Sequence, residues 1–81
     1  MIGADHAVTE HSLVARLQKW VRHMAAAQKV EPFRILSRQT VEAIAAARPS
    51  TFDELLEVKG LGPVKVQRYG RMILDLLAGE E

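Results

Sequence analysis

Two glycines separated by one leucine form the stretch of this sequence that is most suited to chemistry: Lys59-Gly60-Leu61-Gly62-Pro63. Glycine lets a backbone approach a phosphate group closely, and free amides at the start of a helix donate hydrogen bonds to it. Lys65 follows and could add positive charge at the same place. Pro63 weakens this interpretation because proline removes one amide donor. The stretch therefore predicts a hairpin between two helices that could contact phosphate.

The same hairpin also has a purely structural interpretation. It can turn one helix against the next with Leu61 inserted into the core, and this needs no ligand. We favour the structural role, but both roles can hold together. Gly60, Gly62 and Lys65 therefore remain candidate contacts.

A second candidate site is a basic stripe on the first predicted helix. Thr9 or Ser12 can cap this helix, which should reach about Gln28. Its apolar residues follow helical spacing: Leu13, Leu17, Trp20, Val21 and Met24. Basic residues fall on the opposite side at about 100° per residue: Arg16, Lys19, Arg22, His23 and Lys29. The stripe could bind phosphate or could only be a solvated face, and the sequence leaves both open.

The segment after this helix contains a third candidate, an aromatic residue among cations. Pro32 disfavours helical geometry at the preceding residue, so we expect a packed, non-helical connector. An exposed aromatic beside Arg34 and Arg38 would suit sequence-tolerant stacking of unpaired bases, and Phe33 could supply it. We favour burial of Phe33 with Ile35 and Leu36, because phenylalanine has no polar tip to keep it at a surface.

The remaining elements are also helical. Ser37 should cap a helix with Val41, Ile44 and Ala45 on its apolar face, and Pro49 should end that helix after Arg48. Thr51 should cap a short acidic helix that buries Leu55, Leu56 and Val58 and carries Asp53 and Glu54 in its first turn. A last helix should follow Pro63, with Gly70 at a junction or a close helix contact. Its apolar face consists of Val66, Tyr69, Ile73, Leu76 and Leu77.

Composition limits the possible functions. A chain of 81 residues is about one domain, which we place at residues 10–78, after a flexible linker at 1–9 and before a frayed end at 79–81. Residues 1–50 hold seven Lys/Arg against four Asp/Glu, and residues 51–81 hold four against six, so charge placement matters more than the net charge of +1. Without cysteine, and with scattered histidines, we expect no metal, no cofactor and no catalytic residue. The acidic helix lacks the partners that catalysis would need.

These features together resemble the HRDC family. The resemblance covers roughly residues 13–77 and depends on the proline-aromatic connector, the helix that ends at Pro49, the Gly-Leu-Gly hairpin and the pair Tyr69-Gly70. It implies an all-α, compact five-helix bundle that contains a helix-hairpin-helix-like turn. HRDC domains occur in RecQ helicases, some UvrD-type helicases and ribonuclease D.

By resemblance, the domain would bind single-stranded or partly duplex DNA weakly and help a RecQ-type, ATP-dependent 3′–5′ DNA helicase to select substrates. The predicted contacts are Arg16, Lys19, Arg22, Lys29, Phe33, Arg34, Arg38, Gly60, Gly62 and Lys65. The alternative is a protein-interaction module whose acidic helix docks on the parent helicase. We expect a monomer inside the cell, cytoplasmic or nucleoid-associated in a bacterium, without membrane contact.

Four residues depart from the usual family pattern, and three of these departures involve a cation. Lys29 stands where glycine is common, Arg34 where an apolar residue is usual, and Arg38 where Asp or Asn often caps the next helix. Glu31 replaces a frequent second proline. We expect Lys29, Arg34 and Arg38 to extend the basic stripe into one patch.

Overall fold

The computed structural model describes residues 10–79, and within them five helices and no strand. The helices are α1 (Glu10–Gln28), α2 (Pro32–Ile35), α3 (Arg38–Ala47), α4 (Phe52–Leu56) and α5 (Pro63–Ala78). The all-α, five-helix prediction is confirmed. The predicted linker at 1–9, its possible cap Thr9 and residues 80–81 lie outside the described residues.

Helix α1 is the centre of the bundle and packs against α2, α3 and α5, while α4 packs against α5. Its apolar stripe is buried at four positions spaced four residues apart, which are Leu13, Leu17, Val21 and Ala25. The other elements contribute the rest of the core, which is listed here: Ile35, Leu36, Val41, Ile44, Ala45, Leu55, Val58, Leu61, Val66, Tyr69 and Ile73. Because this stripe is buried in the core, the opposite side of α1 faces solvent.

Side-chain caps and prolines set the helix boundaries largely as predicted. The Ser37 hydroxyl accepts a hydrogen bond from the Thr40 amide at the start of α3, and the Thr51 hydroxyl accepts one from the Glu54 amide at the start of α4. Helix α3 ends at Ala47, and Arg48 then takes a left-handed conformation before buried Pro49. Each cap satisfies an amide that would otherwise lack a partner.

The region around Gly70 is a close helix contact. A Cβ atom added to Gly70 would come within 2.9 Å of the Phe52 ring, so the absence of a side chain lets α4 lie against α5. Tyr69, one residue earlier, is buried and exchanges a hydrogen bond with the Gln28 side chain. The prediction of a junction or close contact at this pair is confirmed.

Several local predictions are wrong. The connector after α1 is not irregular: Pro32 occupies the first turn of α2, where its missing amide has no cost. Phe33 and Leu56 were expected in the core, but they are 62% and 45% exposed. Ser12 lies inside α1 and is not its cap. Trp20 is only partly buried.

No helix in the described part of the chain is long and apolar enough to cross a membrane.

The buried stripe of α1 predicts the result of one matched pair of truncations. Leu17→Ala should lower the free energy of unfolding by about 2 to 5 kcal/mol, because Leu17 is fully buried and its loss leaves a cavity. Leu56→Ala removes the same atoms from a half-exposed site and should have less than half of that effect. Urea unfolding followed by circular dichroism measures both. Equal losses would contradict the assigned packing of α1.

Candidate nucleic-acid interface

A groove of about 350 Å³ lies where α1, α2 and the start of α3 meet. Arg22 lines it from α1, Phe33 from α2 and Arg38 from the first position of α3. Gln18 and the apolar side chains of Val21, Pro32, Leu36 and Val41 complete the lining. The groove thus brings together three of the residues predicted from sequence, an aromatic ring and two guanidinium groups.

The geometry of α2 explains why Phe33 is exposed. This helix is one turn long, and it buries Ile35 and the following Leu36, which are 1% and 2% exposed. At about 100° per residue, Phe33 is roughly 200° from Ile35 and so projects from the other side. Ile35 and Leu36 supply the apolar side chains that this segment buries in the core, and the Phe33 ring remains exposed to solvent.

The two arginines of the groove have little local neutralisation. The Arg38 Nε atom lies 3.4 Å from the Glu42 carboxylate, but both side chains are more than half exposed, so this pair is screened by water and weak. Arg22 is exposed and has no ion pair within residues 12–79. Both guanidinium groups can therefore exchange solvent for a phosphate oxygen.

The basic stripe of α1 is divided between two surfaces. Arg22 faces the groove that contains Phe33, whereas Arg16, Lys19 and His23 line a separate hollow with Trp20 and Leu76. The structure therefore does not bring the whole stripe into that groove. Trp20 belongs to the apolar side of α1 by its spacing, and it packs against the core while partly exposed. It also lies four residues after Arg16 and three before His23, so the three side chains are neighbours on the helix surface.

Lys29 and Arg34 are exposed but line neither surface. Lys29 has a φ of 58°, in the left-handed region that favours glycine. Its amide donates to the Ala26 carbonyl and the Val30 amide to the Ala25 carbonyl, at 3.3 and 3.0 Å. These two bonds form a Schellman motif with lysine at the position that glycine usually holds.

The two hairpin glycines have different surroundings. Gly60 has a φ of +97°, and a Cβ atom there would collide with the Thr40 hydroxyl, so Gly60 is required by the fold itself. Gly62 has an ordinary extended conformation and open space around it. Leu61 is buried, as the structural interpretation predicts, and half-buried Lys65 follows Pro63 at the start of α5.

Other hollows in the described residues are less suited to an anion. One beside Pro49 is lined by Glu54 and Glu57, and another by Asp75, in each case together with Arg48. Among the side chains that the structure describes, residues 12–79, no group of three His, Cys, Asp or Glu could hold a metal ion. In the groove with Phe33 and in the hollow with Trp20, by contrast, cations lie beside an aromatic ring.

Comparisons with known proteins agree with this architecture. A family model described as the HRDC domain matches residues 10–77. The ATP-dependent DNA helicase RecQ of Bacillus subtilis is 41% identical over 70 residues, which are 85% of this chain and 12% of that protein. The RecQ-like DNA helicase blm-1 of Caenorhabditis elegans is 45% identical over 47 residues, 58% of this chain and 5% of that protein.

A solved structure shares the fold. The structure described as D. radiodurans RecQ HRDC domain 3 superposes with a TM-score of 0.81 at 34% identity, over 84% of this chain and 90% of that one. The chain thus spans a small part of its helicase relatives but nearly the whole of this single domain.

The different surroundings of the two hairpin glycines predict different effects of the same substitution on stability. Gly60→Ala should destabilise the protein by at least about 1 to 2 kcal/mol, because it forces alanine into a left-handed conformation against Thr40. Gly62→Ala should change stability by less than about 0.5 kcal/mol. Thermal unfolding of the two variants measures the difference. A tolerated Gly60→Ala would contradict the hairpin geometry.

The left-handed conformation of Lys29 predicts that its replacement by glycine should raise stability. Lys29→Gly should stabilise the protein by roughly 1 kcal/mol, because glycine adopts this φ without steric conflict. Lys29→Ala is the matched control, since it removes the charge and keeps the Cβ atom, and it should not stabilise. Urea midpoints provide the measurement, and equal midpoints for the two variants would show that Lys29 is unstrained.

Proposed function

The chain belongs to the HRDC domain family, and on that premise we propose that it is the accessory nucleic-acid-binding domain of a RecQ-type, ATP-dependent DNA helicase. In this role it binds single-stranded or partly duplex DNA weakly, as a monomer inside the cell, and influences which DNA structures the helicase selects during repair and recombination. The chemistry of strand separation belongs to other parts of the parent protein. The domain itself contributes contacts and no catalytic group.

The observation that carries this proposal is the exposed Phe33 ring in one groove with Arg22 and Arg38. Unpaired bases stack on aromatic rings, and nearby cations hold the phosphates that link them. A ring that is 62% exposed has the free face that stacking requires. Arginine suits the cationic positions because its planar group can bind a phosphate with two hydrogen bonds.

The charge distribution also supports a one-sided approach of DNA. Asp53, Glu54 and Glu57 lie on and directly after α4, which packs mainly against α5. Their field would repel a phosphate backbone, whereas the groove on α1 to α3 would attract it. The net charge of the chain is only +1, so we expect modest affinity. Because the proposed contacts are between arginine and phosphate, we expect this affinity to fall as salt is added.

We keep the hairpin as a second contact in this proposal. Gly60 packs against Thr40, and Arg38 begins the same helix two residues earlier, so the hairpin lies at the end of α3 that borders the groove. Gly62 and Lys65 remain accessible enough to meet a strand that leaves the groove. Exposed Lys29 and Arg34 would add longer-range attraction.

A titration with a fluorescently labelled single strand of about 15 nucleotides tests the proposal at low salt. Phe33→Ala should weaken binding about five- to a hundredfold, the range expected from the loss of one stacked base. Phe52→Ala is the matched control, because Phe52 is 48% exposed on the acidic helix. Fluorescence anisotropy gives the dissociation constants, and circular dichroism confirms folding.

Charge reversal tests the electrostatic half of the proposal in the same titration. Arg22→Glu and Arg38→Glu should each weaken binding and reduce the salt slope by about 0.7 per lost phosphate contact. Arg71→Glu, on the exposed side of α5, should have little effect. The proposal fails if wild-type protein gives no saturable signal, or if the groove variants bind as well as the controls.

A second candidate function is docking on the parent helicase through α4. Phe52 and Leu56 are one helical turn apart and are 48% and 45% exposed, with acidic residues around them. Such a surface suits a basic protein partner with apolar contacts. In this case the titration would show no saturable DNA signal, and Leu56→Asp would weaken association with the rest of the helicase.

A further inference from the structure

The hollow on the other flank of α1 resembles the Phe33 groove, because it also combines an aromatic ring with apolar and basic side chains. It is a shallow, open depression of about 350 Å³, lined by Trp20 and Leu76, with Arg16, Lys19 and His23 around them. We call it the Trp20 hollow. The three polar side chains are exposed, while Trp20 and Leu76 are partly buried. An apolar, aromatic surface is thus surrounded by groups that can bind a phosphate oxygen.

Trp20 is held in a fixed orientation in this hollow. Its ring meets the buried Tyr69 ring edge to face, with centroids 5.6 Å apart and an angle of 81° between the planes. The Tyr69 hydroxyl is itself hydrogen-bonded to the Gln28 side chain at the end of α1. The contact holds one side of the tryptophan against the core and leaves the rest toward the hollow. A ring fixed in this way loses little entropy when a base stacks on it.

We infer that the Trp20 hollow is a second binding site for an unpaired base and its phosphate, so that a single strand crosses over α1 from Phe33 to Trp20. This inference rests on the proposed function, because it assigns a further contact to the same ligand. It differs from that proposal in its location, since no residue is shared between the linings of the two surfaces.

The positions along α1 make the crossing short. Gln18 and Arg22 line the first surface, while Arg16, Lys19, Trp20 and His23 line the second, so both lie on the same two turns of the helix. A helix with its side chains is about 10 to 12 Å across. A strand that passes around half of this cylinder covers roughly 16 to 19 Å. At about 3.4 Å per stacked nucleotide, this takes roughly five or six nucleotides. One short oligonucleotide can therefore reach both rings.

A nucleic-acid base fits this hollow better than an acidic peptide does. Carboxylates could pair with Arg16 and Lys19, but they would gain nothing from the tryptophan ring and the Leu76 side chain beside it. A nucleotide satisfies both parts at once, because its base is a flat apolar surface and its phosphate is an anion. A glutamate-rich peptide of equal charge is therefore the competing ligand in the test.

The chain contains one tryptophan, so its intrinsic fluorescence reports on this hollow directly. Titration with unlabelled oligothymidylate at low salt should quench Trp20 emission, with the same midpoint that anisotropy gives for a labelled strand. Bound DNA should also protect Trp20 from quenching by acrylamide. The glutamate-rich peptide should produce neither effect, and equal quenching by the peptide would overturn the assignment to a base.

Substitutions of Trp20 test whether a base stacks on its ring or whether DNA only changes the surroundings of the ring. Trp20→Leu should weaken binding of the labelled strand about tenfold, whereas Trp20→Phe keeps a flat ring and should retain most of the affinity. If Trp20→Leu does not fold, exposed Lys19→Glu provides the second variant and should reduce both affinity and quenching. Arg71→Glu remains the matched control. Full affinity in folded Trp20→Leu or in Lys19→Glu would overturn the inference.

The two proposals fail in different ways. DNA binding that depends on Phe33 but leaves Trp20 emission and acrylamide access unchanged would overturn only the second site. An absence of saturable binding by anisotropy would overturn both. Binding that depends on Trp20 and Lys19 but not on Phe33 or Arg38 would support the second site and remove the groove from the proposed function.

Discussion

Burial of the apolar stripe of α1 is the constraint on which the rest of the molecule depends. Leu13, Leu17, Val21 and Ala25 are all buried, and they contact elements that lie before and after the hairpin in the chain. A helix can turn only one stripe toward a core, so this burial fixes the outward direction of every basic residue between positions 16 and 23. The candidate binding surfaces are a consequence of core packing.

The one-turn helix α2 shows how a small element can set a surface property. Two apolar residues of this segment, Ile35 and Leu36, fill the core, and Pro32 fixes where the turn begins. The third, Phe33, is left on the outside beside Arg22 and Arg38. Its place between two cations is the observation on which the proposed stacking of a base depends.

In the loops, the residue type that the backbone conformation requires can be distinguished from the residue type that the fold does not explain. Gly60 is needed because its φ and the nearby Thr40 leave no room for a side chain, whereas nothing in the fold requires glycine at position 62. Lys29 presents the opposite case, because the backbone favours glycine there and the chain carries a cation. Positions where the sequence departs from the local structural optimum are the ones where a functional explanation adds something.

The sequence by itself determined four of the five helices, the caps Ser37 and Thr51, the end of α3 before Pro49 and the buried side of α1, because helical periodicity and capping are local properties. It also identified the HRDC family through the connector and the hairpin. It missed the one-turn helix α2, which is too short to show a helical period. Only the tertiary structure decided that Phe33 is exposed, that Leu56 is not buried and that the basic stripe divides between two surfaces. These outcomes depend on which side chains of the neighbouring helices occupy the core beside each residue. The periodicity within one helix carries no information about the shape of the helices that pack against it.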